Sequence, residues 1–582
     1  MVKCYKKGYF RPQFVREAWT DLNGEWEFAF DDADVGERDG YFREFPGQHQ
    51  KIAVPYSYET PASGVADERV HNVVWYRRTF RAKAGKDERF LLHFEGADYG
   101  SKVWVNGALV GVHEGGYCRF TLDVTDALTA GENVLTVRCE DSLDARQPRG
   151  KQRWLKNSFG CWYVQTTGLW KPVWAETVPA ARLEQAKFTP DIDGQRIGID
   201  FEFTREAIGC ELLTEISFGD TPVASARTAV NRCGQNIWVD MRSDAFDFRV
   251  KQWSPCDPNL YDVTFTLLRD GKPVDRVGSY FGMRCIEADE KGIRINHSPL
   301  YQKLVLAQNY WKETGLTLPG EEAALKDVEL ARAAGFNGMR IHQKIEDERF
   351  LFVCDVKGML VWGEFPAQYE FGDVAVKRLT AEWSDAVRQQ YNHPCIIAWV
   401  PFNESWGIPG VYSEKAQQEF TRGIYHLTKA YDTMRPVVTN DGWEHTCSDI
   451  ITLHDYDGDG RSMAGRYQDG LKGILSNKVA HGRFKFAFAE GNSYCGQPVI
   501  VSEYGGIALA GGNGWGYNGK AKDAEALISK YDELTSVVKA MPGVSGYCYT
   551  QLTDTYQEVN GLLDENHEPK VDLTRIREIN DR

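Results

Sequence analysis

IIAWVPFNESWG occupies residues 396–407. Five apolar residues run without a polar break, and an amide, a carboxylate, a hydroxyl and an indole then follow in consecutive positions, Asn403 to Trp406. An unbroken apolar run of this length, bounded by a proline, reads as a strand covered on both faces. The polar burst then falls at the C-terminal end of that strand.

The same unit recurs down the C-terminal half. LYQKLVLAQ (300–308), GMRIHQ (338–343), MLVWGEFP (359–366), PVVTNDGW (436–443), IITLHDY (450–456), PVIVSEYGG (498–506) and VSGYCYTQLTD (544–554) bring the apolar runs to eight. Helical patterns lie between several of them: EEAALKDVELARAAG, EDERFLFVCDVKG, VAVKRLTAEWSDAVRQQYN, YSEKAQQEFTRGIYHLTKAYD and KDAEALISKYDELTSVVKA. Eight buried strands alternating with helices predict a (β/α)8 barrel over residues 287–582. A doubly wound open sheet is the alternative, disfavoured because polar residues follow nearly every strand.

Residues 1–286 have a different texture. GEWEFAF (24–30), VWYRRTF (74–80), RFLLHF (89–94), SKVWVNG (101–107) and NVLTVRC (133–139) alternate apolar with polar and are separated by turn chemistry. Period-2 strands at this spacing predict β-sandwiches, and Asn106-Gly107 suits a two-residue hairpin turn that needs positive φ. A boundary after TTGLWKPVWAETVPA divides the region into a jelly-roll sandwich over 1–180 and an immunoglobulin-like sandwich over 181–286.

The totals narrow the function. Lys and Arg number 68 against 83 Asp and Glu, a net charge of −15, so a phosphate backbone or an anionic membrane is repelled on average. No apolar run is long enough to span a bilayer and no secretory h-region follows the first lysines. The thirteen cysteines form no C-x-x-C pair, which speaks for reduced thiols in a cytoplasmic protein rather than a disulfide framework or a zinc site. H-E-x-x-H, G-x-S-x-G and a Walker loop are absent. GWGYNG (514–519) fits G-x-G-x-x-G in form only, since it follows strand seven of a barrel without the acidic partner that dinucleotide binding needs.

In a barrel the active site gathers at the C-terminal strand ends. Those ends carry Arg340 and His342, Glu364, Asn403 and Glu404, Asp441 with Trp443, His454-Asp455-Tyr456, Ser502-Glu503-Tyr504, and Tyr549 with Gln551. A single Glu after a buried strand usually caps a helix or pairs with a base, and Glu364, Glu444 and Asp441 are read that way. Glu404 and Glu503 end strands four and seven, facing each other across the ring. Two carboxylates flanking a cleft are the minimal equipment for glycosidic cleavage, one protonating the leaving oxygen and the other attacking carbon or activating water. The expected donors to the ionised partner are Tyr504 and His342. Trp515 or Tyr517, in the glycine-rich loop, is placed to stack on a sugar.

NES (403–405) and SEYGG (502–506) resemble the acid/base and nucleophile signatures of glycoside hydrolase family 2, which includes β-galactosidases, β-glucuronidases and β-mannosidases. LNGEWEF (22–28), WYRRTF (75–80), FEGADYGSKVWVNGALVGVHEGGY (94–117), TTGLWKPVW (166–174), WSPCDPNLYDV (253–263), GFNGMRIHQK (335–344) and TQLTDTYQEVNGLL (550–563) resemble the same family in its order, over essentially the whole chain. The resemblance implies an exo-acting β-glycosidase that retains anomeric configuration, without an organic cofactor. It makes Glu404 the acid/base, Glu503 the nucleophile and Asn403 the contact to the sugar's 2-hydroxyl. Some members hold Mg2+ beside the acid/base, but no metal ligands are assigned here. Arg340, His342, Trp443, Asp455, Tyr504, Trp515 and Tyr549 complete the candidate sugar contacts.

The expected substrate is a terminal β-galactoside or β-galacturonide. Family glucuronidases carry an Asn-x-Lys near the last strand where this chain reads VNGLLDENHEPK (559–570), so a β-glucuronidase is the alternative, and a non-catalytic carbohydrate-binding protein is the alternative from another class. Arg340 and Lys344 are the candidate clamp for a uronate carboxylate. Self-association is a further possibility that the family resemblance raises.

Overall fold

A computed structural model describes residues 2–468, 471–482 and 484–582. Its C-terminal half closes a parallel barrel. Strand one (Gln302–Ala307) is flanked by strand two (Gly338–Ile341) and strand eight (Val544–Thr550). Strand three (Leu360–Glu364) and strand four (Ile396–Val400) continue one edge, while strand seven (Val499–Gly505) and strand six (Ile451–Asp455) continue the other. The gap is bridged by a short strand five, Asn440–Asp441, which pairs in parallel with Phe402–Asn403 just past strand four. This order, with strand one between two and eight, is that of a closed barrel and excludes the doubly wound sheet.

Helices Glu321–Ala333, Glu348–Lys357, Asp373–Gln390, Lys415–Tyr431 and Ala524–Ala540 follow strands one, two, three, four and seven. Their apolar stripes cover the sheet, so the outward side chains of the strands are buried too: Met339, Val361, Ile397 and Val501 are each at most 1% exposed. That double burial explains why the strands read as continuous apolar runs.

The first 180 residues form two packed antiparallel sheets. One has six strands, built around Gly24–Phe30, Val73–Ala82 and Gly131–Glu140; the other has four, with Val173–Pro179 between Trp19–Asp21 and Glu88–Phe94. In Gly24–Phe30, Trp26 and Phe28 point into the core while Glu25 is exposed and Glu27 is half-buried, the alternation expected of a sheet with one wet face. Val105 pairs with Ala108 across Asn106 (φ 51°) and Gly107 (φ 78°), the two positive-φ positions of the expected hairpin turn. A three-stranded and a four-stranded sheet between Leu183 and Phe281 make the second sandwich, with its own core around Phe188, Ile199, Leu212, Phe265 and Phe281.

The first sandwich is tied to the barrel mouth by a long loop, residues 141–167. The N–H groups of Arg149 and Gly150 donate to Ala367 O at 2.8 and 2.9 Å, and Tyr369 N donates to Ala145 O at 2.8 Å. Gly150 has φ +58°, and a Cβ there would lie 2.3 Å from Gln343 O. Only glycine permits that approach. Tyr117, Cys118, Tyr163 and Trp170 of the first sandwich are consequently part of the barrel's own apolar cluster. Among the described residues, no helix is long and apolar enough to cross a membrane.

Candidate active site

The C-terminal strand ends converge on a buried charged network centred on Arg340. Its Nη1 donates to Glu503 Oε1 at 2.7 Å, and its Nη2 donates to Asn403 Oδ1 at 2.6 Å while lying 2.8 Å from Asp441 Oδ2 and 3.0 Å from Glu364 Oε2. Arg340 is wholly buried. A guanidinium suits this position because one planar fork reaches several acceptors at once.

Glu503 receives a second donor on its other oxygen: Tyr456 Oη lies 2.5 Å from Oε2 and also 3.0 Å from Thr550 Oγ1. Burial works to raise the Glu503 carboxyl, but His454 and Arg340 outweigh it and hold the group below the ordinary carboxylate range. His454 bridges the site. Its Nε2 is 3.1 Å from Asp441 Oδ2, and its Nδ1 is 2.9 Å from Glu404 Oε1 and 3.4 Å from Glu503 Oε2. Although burial pulls the imidazole down, Glu503 and Asp441 dominate and hold it protonated up to about 10. Oxygens of Glu404 and Glu503 lie within 4.8 Å of each other and of that imidazole nitrogen. The three atoms are grouped closely enough to surround a cation.

The backbone at Glu404 is special. Glu404 and Ser405 have φ of 53° and 58°, two successive non-glycine residues in the left-handed region, where L side chains cost roughly 1–2 kcal/mol each. Glu404 N donates to Asp441 O at 2.9 Å, Ser405 N to Asn440 Oδ1 at 3.0 Å, and Ser405 Oγ to Glu444 Oε2 at 2.6 Å. These bonds hold a conformation that turns both Asn403 and Glu404 toward the barrel axis. Glu444, which also pairs with Lys485 at 2.9 Å, is therefore the base-paired structural group expected of it. Glu364 also lies behind the site; burial raises it to about 8 despite the nearby Arg340, whose charge is shared with Glu503 and Asp441.

Several expected contacts are corrected. Tyr504 does not support Glu503: a register irregularity between Val501 and Tyr504 turns Ser502 and Glu503 inward, and Tyr504 points outward, 2.7 Å from Thr535 Oγ1 on the helix after strand seven. Tyr549 alternates to the same outer face and packs on Tyr531 with ring centroids 4.7 Å apart. Neither reaches the cleft. His342 is 3.1 Å from Glu364 Oε2 rather than on Glu503, and burial drives it well below the ordinary imidazole range. The expected uronate clamp is also overturned, because Arg340 is committed to Glu503, Asn403, Asp441 and Glu364, while Lys344 Nζ donates to the carbonyls of Asn309 and Leu316 at 3.1 and 2.9 Å. Gln551 is buried and bonded to Gln308 and Asn560.

Trp443 and Asp455 line a cavity of about 270 Å3 beside the carboxylates, together with His454, Tyr456 and Arg466. Trp443 Nε1 has no partner among the described residues, whereas Asp455 is tied to Arg466 and to the N–H of Asp457. Larger clefts, one of about 1140 Å3 lined by Pro255, Asn337 and Arg577, lie away from the carboxylates and carry none of this chemistry. Trp515 Nε1 donates to Gly160 O at 3.3 Å, so the glycine-rich loop meets the sandwich loop over the rim, and Tyr517 stacks on Tyr456 with centroids 3.9 Å apart.

The sandwich loop brings further residues to the mouth that the strand-end pattern does not announce. Lys151 lies 3.8 Å from Glu558 Oε2, and Glu558 accepts from Gln308 Nε2 at 2.9 Å and from Tyr163 Oη. Cys161, raised by burial to about 11 with Lys151 pulling the other way, lies within electrostatic reach of Glu404. The density of aromatic and basic residues in RGKQRWLKNSFGCWY (149–163) was the available signal.

A barrel with a paired, differently supported set of carboxylates at its strand ends defines a class of glycoside-cleaving folds. Family models agree: residues 19–146 match the glycosyl hydrolases family 2 sugar binding domain, 181–284 match a glycosyl hydrolases family 2 domain, and 286–579 match the family 2 TIM barrel domain. The chain belongs to glycoside hydrolase family 2. It is 25% identical over 441 residues to a putative β-glucuronidase of Formosa agariphila, and 26% identical over 407 residues to a β-galactosidase of Thermoanaerobacter pseudethanolicus. These alignments cover 73% and 68% of this chain but 51% of either relative, so the chain spans about half the length of those curated relatives. A solved β-glucuronidase of an uncultured Clostridium sp. shares the fold with a TM-score of 0.79 at 21% identity, covering 99% of this chain and 100% of that one.

Proposed function

We propose that the protein is an exo-acting, retaining β-glycosidase in which Glu404 is the acid/base and Glu503 the nucleophile. The observation that carries this reading is the approach of their oxygens to within 4.8 Å. Retaining enzymes hold their carboxyl groups about 5–5.5 Å apart, whereas inverting ones leave about 6.5–9.5 Å for a water. In the first step an oxygen of Glu503 bonds to the anomeric carbon as the glycosidic C–O bond breaks, and the departing oxygen takes the Glu404 proton. In the second, Glu404 removes a proton from water, the water oxygen bonds to that carbon, and the ester bond to Glu503 breaks. Arg340 and Tyr456 keep Glu503 ionised before the first step and stabilise the carboxylate that re-forms in the second. Asn403, held by Arg340, contacts the sugar's 2-hydroxyl. Of the modules over 1–180, 181–286 and 287–582, the last carries the site and the first lends it the loop 141–167.

The preferred substrate is a neutral galacto-type β-pyranoside. Arg340 and Lys344 are unavailable to a uronate, and Glu558 beside Lys151 would repel one. A uronide remains the second reading because Lys151 is a buried cation within electrostatic reach of Glu503. Thirteen free cysteines suit a reducing, cytoplasmic setting, and an N-x-S sequon at Asn403, where a glycan would block the cleft, fits the same setting. Nitrophenyl β-galactoside, β-galacturonide, β-glucuronide, β-mannoside and arabinoside, tested with wild type and with Glu503→Gln, decide the matter. Cleavage of one glycoside by wild type, lost by several orders of magnitude in the folded variant, is expected; full turnover by the variant refutes the assignment.

A further inference from the structure

The catalytic carboxylates explain how a bond breaks but not what is held on the leaving side. That side is set by Glu404, since the group it protonates is the aglycone's oxygen. Two residues beyond it, Trp406 joins a cluster of aromatic rings drawn from three separate segments. Trp162 of the sandwich loop stands edge-on to Trp406 at 5.1 Å and to Tyr369 at 5.5 Å, Trp154 stacks on Tyr369 at 3.7 Å, and Phe159 stacks on Trp162 at 5.0 Å. Tyr369 follows strand three and is 5.5 Å from Trp406.

Packing alone does not account for these rings. The tryptophans that fill this barrel's core, Trp362, Trp383 and Trp399, are no more than 1% exposed. All five rings of the cluster stay half-buried, and beside them Leu155 is 51% exposed. Partly exposed aromatic rings near a general acid are suited to a flat partner with an apolar face, which gains from both burial and ring contact.

We infer that Trp154, Phe159, Trp162, Tyr369 and Trp406 form the aglycone subsite, a platform shared by the sandwich loop and the barrel that takes a flat, apolar-faced leaving group, either an aryl ring or the C–H face of a second sugar. The inference rests on the glycosidase reading and names what that site accepts. Its consequence is kinetic: the platform is felt only while the aglycone is attached.

The test compares three substrates of the glycone the wild type prefers: its nitrophenyl glycoside, its β-linked disaccharide and its glycosyl fluoride, which has no aglycone ring. Trp162→Leu is expected to lower kcat/KM about tenfold on the nitrophenyl glycoside, the disaccharide or both, with the fluoride changed less than twofold. Phe159→Ala, a smaller perturbation at the edge, shows the same selectivity should Trp162→Leu fold poorly. A fall on the aryl substrate alone identifies an aryl site, and a fall on the disaccharide alone identifies a sugar site. An equal fall on the fluoride, or no fall on any substrate, overturns the inference. If wild type cleaves none of the three, the glycosidase reading has failed, and tryptophan quenching by phenyl β-galactoside judges the platform separately: saturable quenching lost in Trp162→Leu supports a binding face, and quenching unchanged by the variant refutes it.

Discussion

Tyr456→Phe removes one oxygen and asks what the 2.5 Å bond to Glu503 Oε2 contributes. The bond is strongest when Glu503 carries full charge, before the sugar is attached and again as the ester breaks. Its loss therefore raises the barrier to deglycosylation, where the carboxylate re-forms, more than the barrier to glycosylation, where charge is being lost. A hydrogen bond to a charged group contributes about 1.5–3 kcal/mol, which corresponds to about 10- to 150-fold in rate. Arg340 at 2.7 Å remains on the other oxygen and His454 stays 3.4 Å from Oε2, so the carboxylate keeps both counter-charges and the fold survives. On a nitrophenyl substrate kcat should fall by that factor while KM falls with it, kcat/KM moving little, and stopped-flow mixing should show a burst of nitrophenol equal to the enzyme present. The acid limb of the kcat/KM profile should also move to higher pH, because Glu503 loses a group that favours its ionised form. If kcat and kcat/KM fall together without a burst, and the acid limb stays where it was, Tyr456 is not supporting a nucleophile.

Other consequences are equally direct. Arg340→Met strands Asp441 and Glu503 in a buried site, and urea denaturation should show a loss of about 3–5 kcal/mol; an unchanged midpoint would mean that the network is not a structural centre. Glu404→Ala should retain attack by Glu503 on activated nitrophenyl glycosides but lose turnover, and added azide should restore it with a β-glycosyl azide as product; an α-azide, or no rescue, contradicts the acid/base role. His454 titrates near 10 in the fold against an ordinary 6.5. Its stabilising contribution is accordingly complete below about pH 6.5 and lost as the pH rises toward 10. The stability gap between wild type and His454→Gln should narrow across that window, and a gap that widens there would refute the charge assignment.

Much of the architecture was legible because each barrel strand is buried on both faces, which leaves an apolar run that periodicity can find, and because the polar residues ending those runs mark the rim. Strand five was the weakest of the eight in the structure, with pairing at Asn440–Asp441 extending little beyond the gap it bridges. The site was legible in part. Glu404, Glu503, Asn403 and Arg340 meet as their strand-end positions implied. Which neighbour faces inward was not legible, since a register irregularity decides that Ser502 and Glu503 turn in and Tyr504 turns out, and no residue pattern announces it. Tyr456 and His454 stood on the expected rim without an assigned role, because their distances to the carboxylates depend on how the barrel closes. Lys151, Cys161 and Trp162 lie hundreds of residues before the catalytic strands, and only docking of the sandwich loop at Ala367 brings them to the mouth.

The mechanism requires two carboxylates separated by under 5 Å to act in succession on one carbon. Proton NMR of a cleaved β-glycoside, recorded before mutarotation, reads this directly. The β-anomer appearing first is the expected result; the α-anomer appearing first would require water to attack in place of Glu503 and would contradict the mechanism.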